Sequence, residues 1–265
     1  MSARARAVVI ALAAFAVWAL ATWALEGRIL TLLRPDAVAE RMVYALVGNL
    51  LLGIVAGAGC VAYFVRTGAV HADRAGFGST RRTVLWSVTG LALGLSAYVL
   101  QGAPSLDPTV IVNAFSQVFV VSAAEVVICW SVVGASIEAA VEGRGRLLAA
   151  AAAGLVAALL FGLYHFAHSP PFNTWAMVGL LSAVGVVTGL FFFVSRDLIG
   201  TAIFHNFLGT FGVLQALSKA GALGSLERLQ PPLVATAAVT LLVVAGLQVF
   251  VRRQPAPKGR GPVPD

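Results

Sequence analysis

Three residues that carry acid–base or metal-binding chemistry lie inside long apolar stretches of this chain: Glu125, His165 and His205. A carboxylate in the middle of a bilayer costs about 2.5–3.5 kcal/mol on insertion scales, so it usually has a function or a partner. A carboxylate and two imidazoles that meet in a cavity shielded from bulk water can hold and polarise one water molecule. That arrangement is suited to the hydrolysis of an amide bond.

The same three side chains form a donor set for a divalent metal ion. Catalytic zinc takes three protein ligands and keeps one position open, and Glu125, His165 and His205 would supply these ligands if an ion is used. Without an ion, Glu125 acts as the general base and no cofactor is needed. Two neighbours are candidates for support: His168, about one helical turn beyond His165, and Asn206, next to His205.

Each of these residues also has a structural interpretation. Glu125 could hydrogen-bond to Asn, Gln or Ser on a neighbouring helix, and His165 could lie at the level of the lipid headgroups. His168 precedes a Ser-Pro-Pro sequence, which is typical of an interfacial loop. Glu138 and Glu142 lie close in sequence to two arginines and are interpreted as interface charges.

The composition predicts an all-α integral membrane protein. Of the 265 residues, 59% are hydrophobic and only 11% are charged, whereas soluble domains carry about 25% charged residues. Apolar runs of about 20 residues span a hydrocarbon core of about 30 Å. We count eight such runs, at about 7–25, 43–64, 83–101, 109–140, 147–167, 174–194, 198–217 and 233–251. The fourth is too long for one perpendicular crossing and must tilt, break or protrude.

The 18 Lys and Arg residues indicate membrane topology, not a nucleic-acid partner. Most of them lie at the N-terminus, in the even-numbered loops and at the C-terminus, so the positive-inside rule predicts that both termini are cytoplasmic. We therefore expect a multi-pass protein of the cell membrane in contact with lipid. The first apolar run is longer than a signal-peptide core and is interpreted as a retained span. Cys60 and Cys129 lie in apolar runs and exclude a cysteine-type zinc site.

The chain divides into helices 1–3 at 1–108, a core with the candidate site at 109–217, and the last helix with a basic disordered tail at 218–265. A rise of 1.5 Å per residue places Glu125 about 22 Å, His165 about 27 Å and His205 about 10 Å from the cytoplasmic ends of their helices. The three can meet only if a helix tilts, the fourth span breaks, or some helix ends are set back.

The order of these residues resembles the CPBP family of intramembrane proteases, which includes CAAX prenyl proteases and bacteriocin-processing proteins. That family carries Glu-Glu-x-x-x-Arg, Phe-x-x-x-His and His-x-x-x-Asn on successive helices of an eight-helix bundle. This chain has Glu125 after Ala124, then Phe161 to His165, then His205. The resemblance implies that Glu125 and His165 activate water and that His205 binds a metal or stabilises the oxyanion. It also implies a peptide or protein substrate, which is C-terminally modified in the eukaryotic branch.

Three positions depart from the family pattern: Ala124 replaces the first Glu, Cys129 replaces the Arg, and Gly209 replaces the Asn. These departures favour one alternative, a catalytically inactive relative that acts as a membrane scaffold or immunity protein. A small transporter or proton relay is a further alternative, because intramembrane Glu and His recur there. A haem protein with axial histidines is another. The sequence does not indicate an oligomeric state.

Overall fold

The described residues of the computed structural model, 1–31, 34 and 36–255, form a bundle of long helices. Eight of these helices are long and apolar enough to cross a membrane: α1 (Ala3–Gly27), α2 (Val38–Arg66), α3 (Thr80–Leu100), α4 (Pro108–Arg144), α5 (Arg146–Ala167), α6 (Trp175–Ser195), α7 (Leu198–Lys219) and α8 (Pro231–Arg252). No strand occurs in this part of the chain. The prediction of an all-α, multi-pass membrane protein is therefore confirmed. Residues 256–265, most of the predicted basic tail, lie outside the described residues.

Side-chain caps fix where the site-bearing helices begin. The Asp107 carboxylate accepts the backbone N–H of Thr109 at 2.7 Å, and Pro108 occupies the first turn of α4, where a proline lacks no needed donor. The Asp197 carboxylate accepts the backbone N–H of Gly200 at 2.7 Å and caps α7 in the same way. These caps satisfy backbone donors that the first turn of a helix leaves without partners.

Helix α4 is the centre of the bundle. In its most apolar 18-residue stretch 94% of the residues are buried, whereas only 17–22% are buried in the corresponding stretches of α1, α3 and α8. It stays helical along its whole length, but its hydrogen bonding changes to the wider π pattern over Val126–Gly134, directly after Glu125. Such wide turns are frequent at functional sites. The long fourth span is thus a single buried helix without a break.

Small residues let α7 lie close to α3. Gly90 of α3 packs against the backbone of Gly200, and a Cβ atom at Gly90 would overlap the Gly200 carbonyl oxygen. Helices without side chains at the contact can approach closely in a membrane, where packing replaces the hydrophobic effect as the main driving force. This contact presses α7, which carries His205, toward the centre of the bundle.

The turn between α6 and α7 is set back inside the bundle. It consists of Arg196 and Asp197, and the Arg196 guanidinium donates two hydrogen bonds of 2.6 Å to the Glu138 carboxylate of α4. Glu138 lies about 9 Å short of the end of α4 at Arg144, so α7 begins about that far inside. The set-back removes most of the depth mismatch expected between Glu125 and His205.

Candidate active site

Glu125 and His205 form a direct hydrogen bond at the centre of the bundle. His205 Nε2 lies 3.0 Å from Glu125 Oε2, and His205 Nδ1 lies 2.9 Å from the hydroxyl oxygen of Thr188 in α6. All three side chains are buried. A carboxylate only accepts hydrogen bonds, so Nε2 carries the proton and Nδ1 accepts from the Thr188 hydroxyl. His205 therefore orients the Glu125 carboxylate and has both ring nitrogens engaged.

His165 reaches the same carboxylate from the end of α5. The α-helical part of α5 ends at Tyr164, and a 3₁₀ turn over His165–Ala167 directs the imidazole inward. His165 Nδ1 donates to the Phe161 carbonyl at 2.8 Å, which leaves Nε2 with a free lone pair 3.8 Å from Glu125 Oε1. The Phe161 ring lies between His165 and His205, with centroid distances of 4.7 and 5.1 Å. The predicted trio of Glu125, His165 and His205 is thus brought together.

His168 belongs to the same cluster. Its ring stacks on His165 with the centroids 5.1 Å apart, and its Nδ1 lies 3.3 Å from Glu26 Oε2 at the end of α1. Its Nε2 is buried and has no hydrogen-bond partner among the described residues. The surrounding backbone is held by the N–H of Ser169, which donates to Glu26 Oε2 at 2.8 Å. His168, predicted as a supporting residue, therefore lies inside the site.

Sequence reasoning missed Glu26 and Thr188, which position two of the histidines. Glu26 follows the first apolar run and was not singled out, although its burial in the structure resembles that of Glu125. A carboxylate at the end of an apolar run carries a desolvation cost similar in kind to that of Glu125, and this signal could have identified it. Thr188 has no such signal, because threonine is common in membrane helices.

Asn206, the other predicted supporting residue, points to a different neighbour. Its side-chain nitrogen donates to the Phe115 carbonyl of α4 at 2.9 Å. Neither of its side-chain atoms hydrogen-bonds to Glu125, His165 or His205 in the described part of the chain. Asn206 therefore ties α7 to α4 and does not contact the histidine cluster through its amide.

Two of the three departures from the family pattern, Ala124 and Gly209, have a packing explanation. Ala124 faces Gly53 of α2 so closely that a methyl group at Gly53 would lie 2.5 Å from the Ala124 Cβ, which leaves no room for a longer side chain. Cys129 is fully buried on the same helix. Gly209 lets α7 approach α4, since a Cβ atom there would lie 3.0 Å from Val118. Neither Ala124 nor Cys129 lines the cavity beside Glu125.

A cavity of about 750 Å³ opens beside the cluster. Its size is typical of small-molecule and peptide-side-chain pockets, which range over about 300–1,000 Å³. Most of its wall is apolar, and it extends from Glu125 to the end of the bundle where α7 ends and α8 begins. Its polar lining includes Arg34, Arg41 and the clustered residues Glu26, Glu125, His165, His168 and His205. The site is therefore accessible from one end of the bundle.

The donor atoms of Glu125, His165 and His168 fit a metal ion. One ligand atom from each lies within 4.8 Å of the others. The structure thus groups His168, and not the predicted His205, with Glu125 and His165. A Glu-His-His cluster able to hold a metal ion exists in the bundle.

No protein-family model, curated protein or solved structure matches this chain. The resemblance to the CPBP proteases consequently stays a prediction from sequence motifs, and the functional argument depends on the geometry of the cluster and its cavity.

Proposed function

We propose that this protein is an intramembrane endopeptidase of the CPBP type, which hydrolyses a peptide bond at Glu125. The observation that carries the proposal is the gap of 3.8 Å between Glu125 Oε1 and His165 Nε2, two free acceptors beside a cavity. A water molecule placed about 2.8 Å from each atom can donate one proton to each of them. Both residues line the cavity, so the water would be within reach of a substrate that enters it.

The residues support a complete reaction by general acid–base catalysis. Glu125 takes a proton from the water as the water oxygen bonds to the substrate carbonyl carbon. The C–N bond then breaks, and the same proton passes from Glu125 to the leaving nitrogen. His205 keeps the carboxylate in place through the 3.0 Å hydrogen bond, and Thr188 keeps His205 in the required tautomer. A divalent ion, when bound at Glu125, would lower the pKa of the attacking water.

The proposed substrate is a peptide or protein segment presented from the membrane. The apolar cavity wall favours an apolar segment, and the arginines Arg34 and Arg41 provide positive charge along the same cavity. A C-terminally modified protein, as implied by the family resemblance, satisfies both conditions. With both termini in the cytoplasm, as the charge distribution predicts, the cavity lies toward the non-cytoplasmic end of the bundle.

The test compares protein termini in membranes of cells that express the wild type or Glu125→Gln. We expect a set of new termini that depends on the wild-type protein and is lost in Glu125→Gln at equal membrane abundance. Glu142→Gln is the matched control, because it makes the same chemical change in the same helix but lies outside the cavity. Identical termini in wild-type and Glu125→Gln membranes would contradict the proposal.

The second candidate is a non-catalytic scaffold or immunity protein with the same bundle. The replacement of the family's Glu and Arg by the tightly packed Ala124 and Cys129 favours this candidate. In that case Glu125→Gln lowers membrane abundance, and no terminus in the same proteomic comparison depends on Glu125.

A further inference from the structure

We propose that Glu125, His165 and His168 bind a divalent cation of the zinc class, with Glu26 as the carboxylate that orients His168. This set differs from the one implied by the family motifs, which uses His205. The assignment rests on the site of the proposed hydrolase and describes its metal-bound form, in which Glu125 and His165 bind the cation and no longer accept protons from the water as in the metal-free reaction. Cation binding itself depends only on the arrangement of these four side chains.

The tautomers of His165 and His168 leave one nitrogen of each ring available to a metal ion. His165 Nδ1 donates to the Phe161 carbonyl and His168 Nδ1 faces the Glu26 carboxylate, so both rings carry the proton on Nδ1. Both Nε2 atoms therefore keep a lone pair. Histidines that bind metal almost always donate the other ring N–H to a carbonyl or carboxylate in this way. His205 differs, because both of its nitrogens already have partners.

One of these nitrogens, His168 Nε2, is buried without a hydrogen-bond partner among the described residues. His168 Nε2 is inaccessible and lacks a partner within the described ranges, although a buried polar atom without a partner costs about 1–3 kcal/mol. A metal ion coordinated by this atom would remove that cost. Glu125 offers the matching oxygen, since His205 occupies only Oε2 and leaves Oε1 free.

The negative charges of two buried carboxylates also favour a bound cation. Glu26 and Glu125 are 4% and 5% exposed, and in the described part of the chain the only side chains able to carry positive charge within 4.0 Å of either carboxylate are histidines. Two buried carboxylates without a cation are costly in an apolar bundle. One divalent ion balances both charges, with Glu125 as a direct ligand and Glu26 acting through His168.

The distances allow this coordination after a small movement. Two ligand atoms at about 2.1 Å from a tetrahedral zinc ion lie about 3.4 Å apart. One ligand atom of each residue lies within 4.8 Å of the other two, and His165 Nε2 lies 3.8 Å from Glu125 Oε1. Side-chain shifts of about 1 Å would bring the ligand atoms to the tetrahedral spacing. All three residues line the cavity.

The experiment measures zinc binding to the purified full-length protein in detergent after removal of bound metal. We expect about one zinc per wild-type chain by elemental analysis. Competition with a chromophoric chelator gives the dissociation constant of each variant. His168→Ala removes a ligand and should weaken binding at least about 100-fold, whereas Glu26→Gln keeps all three ligands and should weaken it about 10–100-fold. His205→Gln removes no ligand and keeps a side-chain N–H donor for Glu125, so it should weaken binding no more than Glu26→Gln does. The exposed His71→Ala should leave the affinity unchanged.

Folding and function are separated by two further measurements. Thermal unfolding in excess chelator identifies a variant that fails to fold. If His168→Ala fails to fold, Glu26→Gln tests the cation site instead, because it leaves the three ligands in place. Absence of stoichiometric zinc from the wild type, or equal loss of zinc in His205→Gln and His168→Ala, would overturn the assignment. Zinc binding without Glu125-dependent cleavage supports the cation site and contradicts the hydrolase. Glu125-dependent cleavage by a protein that binds no zinc supports the hydrolase and contradicts the cation site.

Discussion

Glu125 and Glu138 are buried carboxylates of the same helix, yet their surroundings differ in kind. Glu138 receives two hydrogen bonds from the Arg196 guanidinium and does not line the cavity beside Glu125. Glu125 faces imidazoles and lines a cavity of about 750 Å³. The Glu138 carboxylate, which is fully paired, joins two parts of the bundle. The Glu125 carboxylate has a free oxygen beside the cavity and is able to accept a proton or bind a cation. Partner type and adjoining space distinguish the two, and burial alone does not.

The largest expected effect that tests this comparison is on stability. Glu138→Gln leaves the partly buried guanidinium of Arg196 without a carboxylate and should lower the free energy of unfolding by about 3 kcal/mol. Glu125→Gln should change it by less than about 1 kcal/mol, because the new carbonyl accepts from His205 and the new N–H₂ faces the free Nε2 of His165. Denaturant unfolding in detergent micelles measures both.

Glu142→Gln serves as the control for that experiment. Its carboxylate pairs with Arg4 and Arg74 near the surface, and such pairs contribute about 0–1 kcal/mol. Equal losses in Glu125→Gln and Glu138→Gln would show that Glu125 is also a structural carboxylate and would remove the distinction between the two residues.

A smaller effect is expected at Thr188, which tests whether the Glu125 side of the comparison is preorganised. Thr188→Val removes the hydroxyl that bonds His205 Nδ1 and leaves a buried acceptor unpaired, at a cost of about 1–3 kcal/mol. The rate of Glu125-dependent cleavage should fall, because the His205 tautomer is no longer fixed. Thr188→Ser keeps the hydroxyl and should restore both stability and rate; if both variants behave like the wild type, His205 does not orient Glu125.

The smallest effect concerns Asp197, which lies beside the Arg196–Glu138 pair in the turn between α6 and α7. Burial raises the pKa of the Asp197 carboxyl, although hydrogen bonds from Thr83 and Gly200 oppose the shift. The folded state therefore favours the protonated form, so the stabilising contribution is complete below the unfolded pKa and is lost as pH rises through the folded pKa.

Asp197→Asn should remove this loss of stability, because it keeps a capping oxygen for Gly200 and does not titrate. Thermal unfolding midpoints from about pH 4 to pH 7 provide the comparison. Asp107→Asn, the same change at the cap of α4, is the control. Superimposable profiles for Asp197→Asn and the wild type would mean that this turn does not titrate with folding, and that only the ion pair sets its stability.

The sequence was sufficient to predict the helices and the main residues of the site. Backbone groups in lipid must be satisfied within a helix, so apolar runs of sufficient length determine the spans. A carboxylate and histidines in such runs are rare and costly, which is why Glu125, His165 and His205 could be identified. Their convergence depended on the set-back turn at Arg196, which no local pattern announced.

The partners of the charged and polar groups could not be predicted from local spacing. Glu138 was interpreted as an interface charge because two arginines lie near it in sequence; this was wrong, since Glu138 is buried and its partner is Arg196, 58 residues away in the chain. Glu26 reaches Ser169 across 143 residues, and with it the neighbouring His168. Side-chain pairing between distant helices depends on rotation and depth, which hydropathy does not encode. For this reason the grouping of His168 with Glu125 emerged only from the three-dimensional arrangement.

The set-back turn between α6 and α7 also has a consequence for biosynthesis. Glu138 leaves the ribosome well before Arg196, so α4 enters the membrane with a carboxylate whose cation has not yet been made. The connection between α6 and α7 is too short to remain at the surface while one helix inserts alone. The two helices therefore enter as one hairpin, and the arrival of Arg196 supplies the cation for Glu138 at the same time as it brings His205 to Glu125.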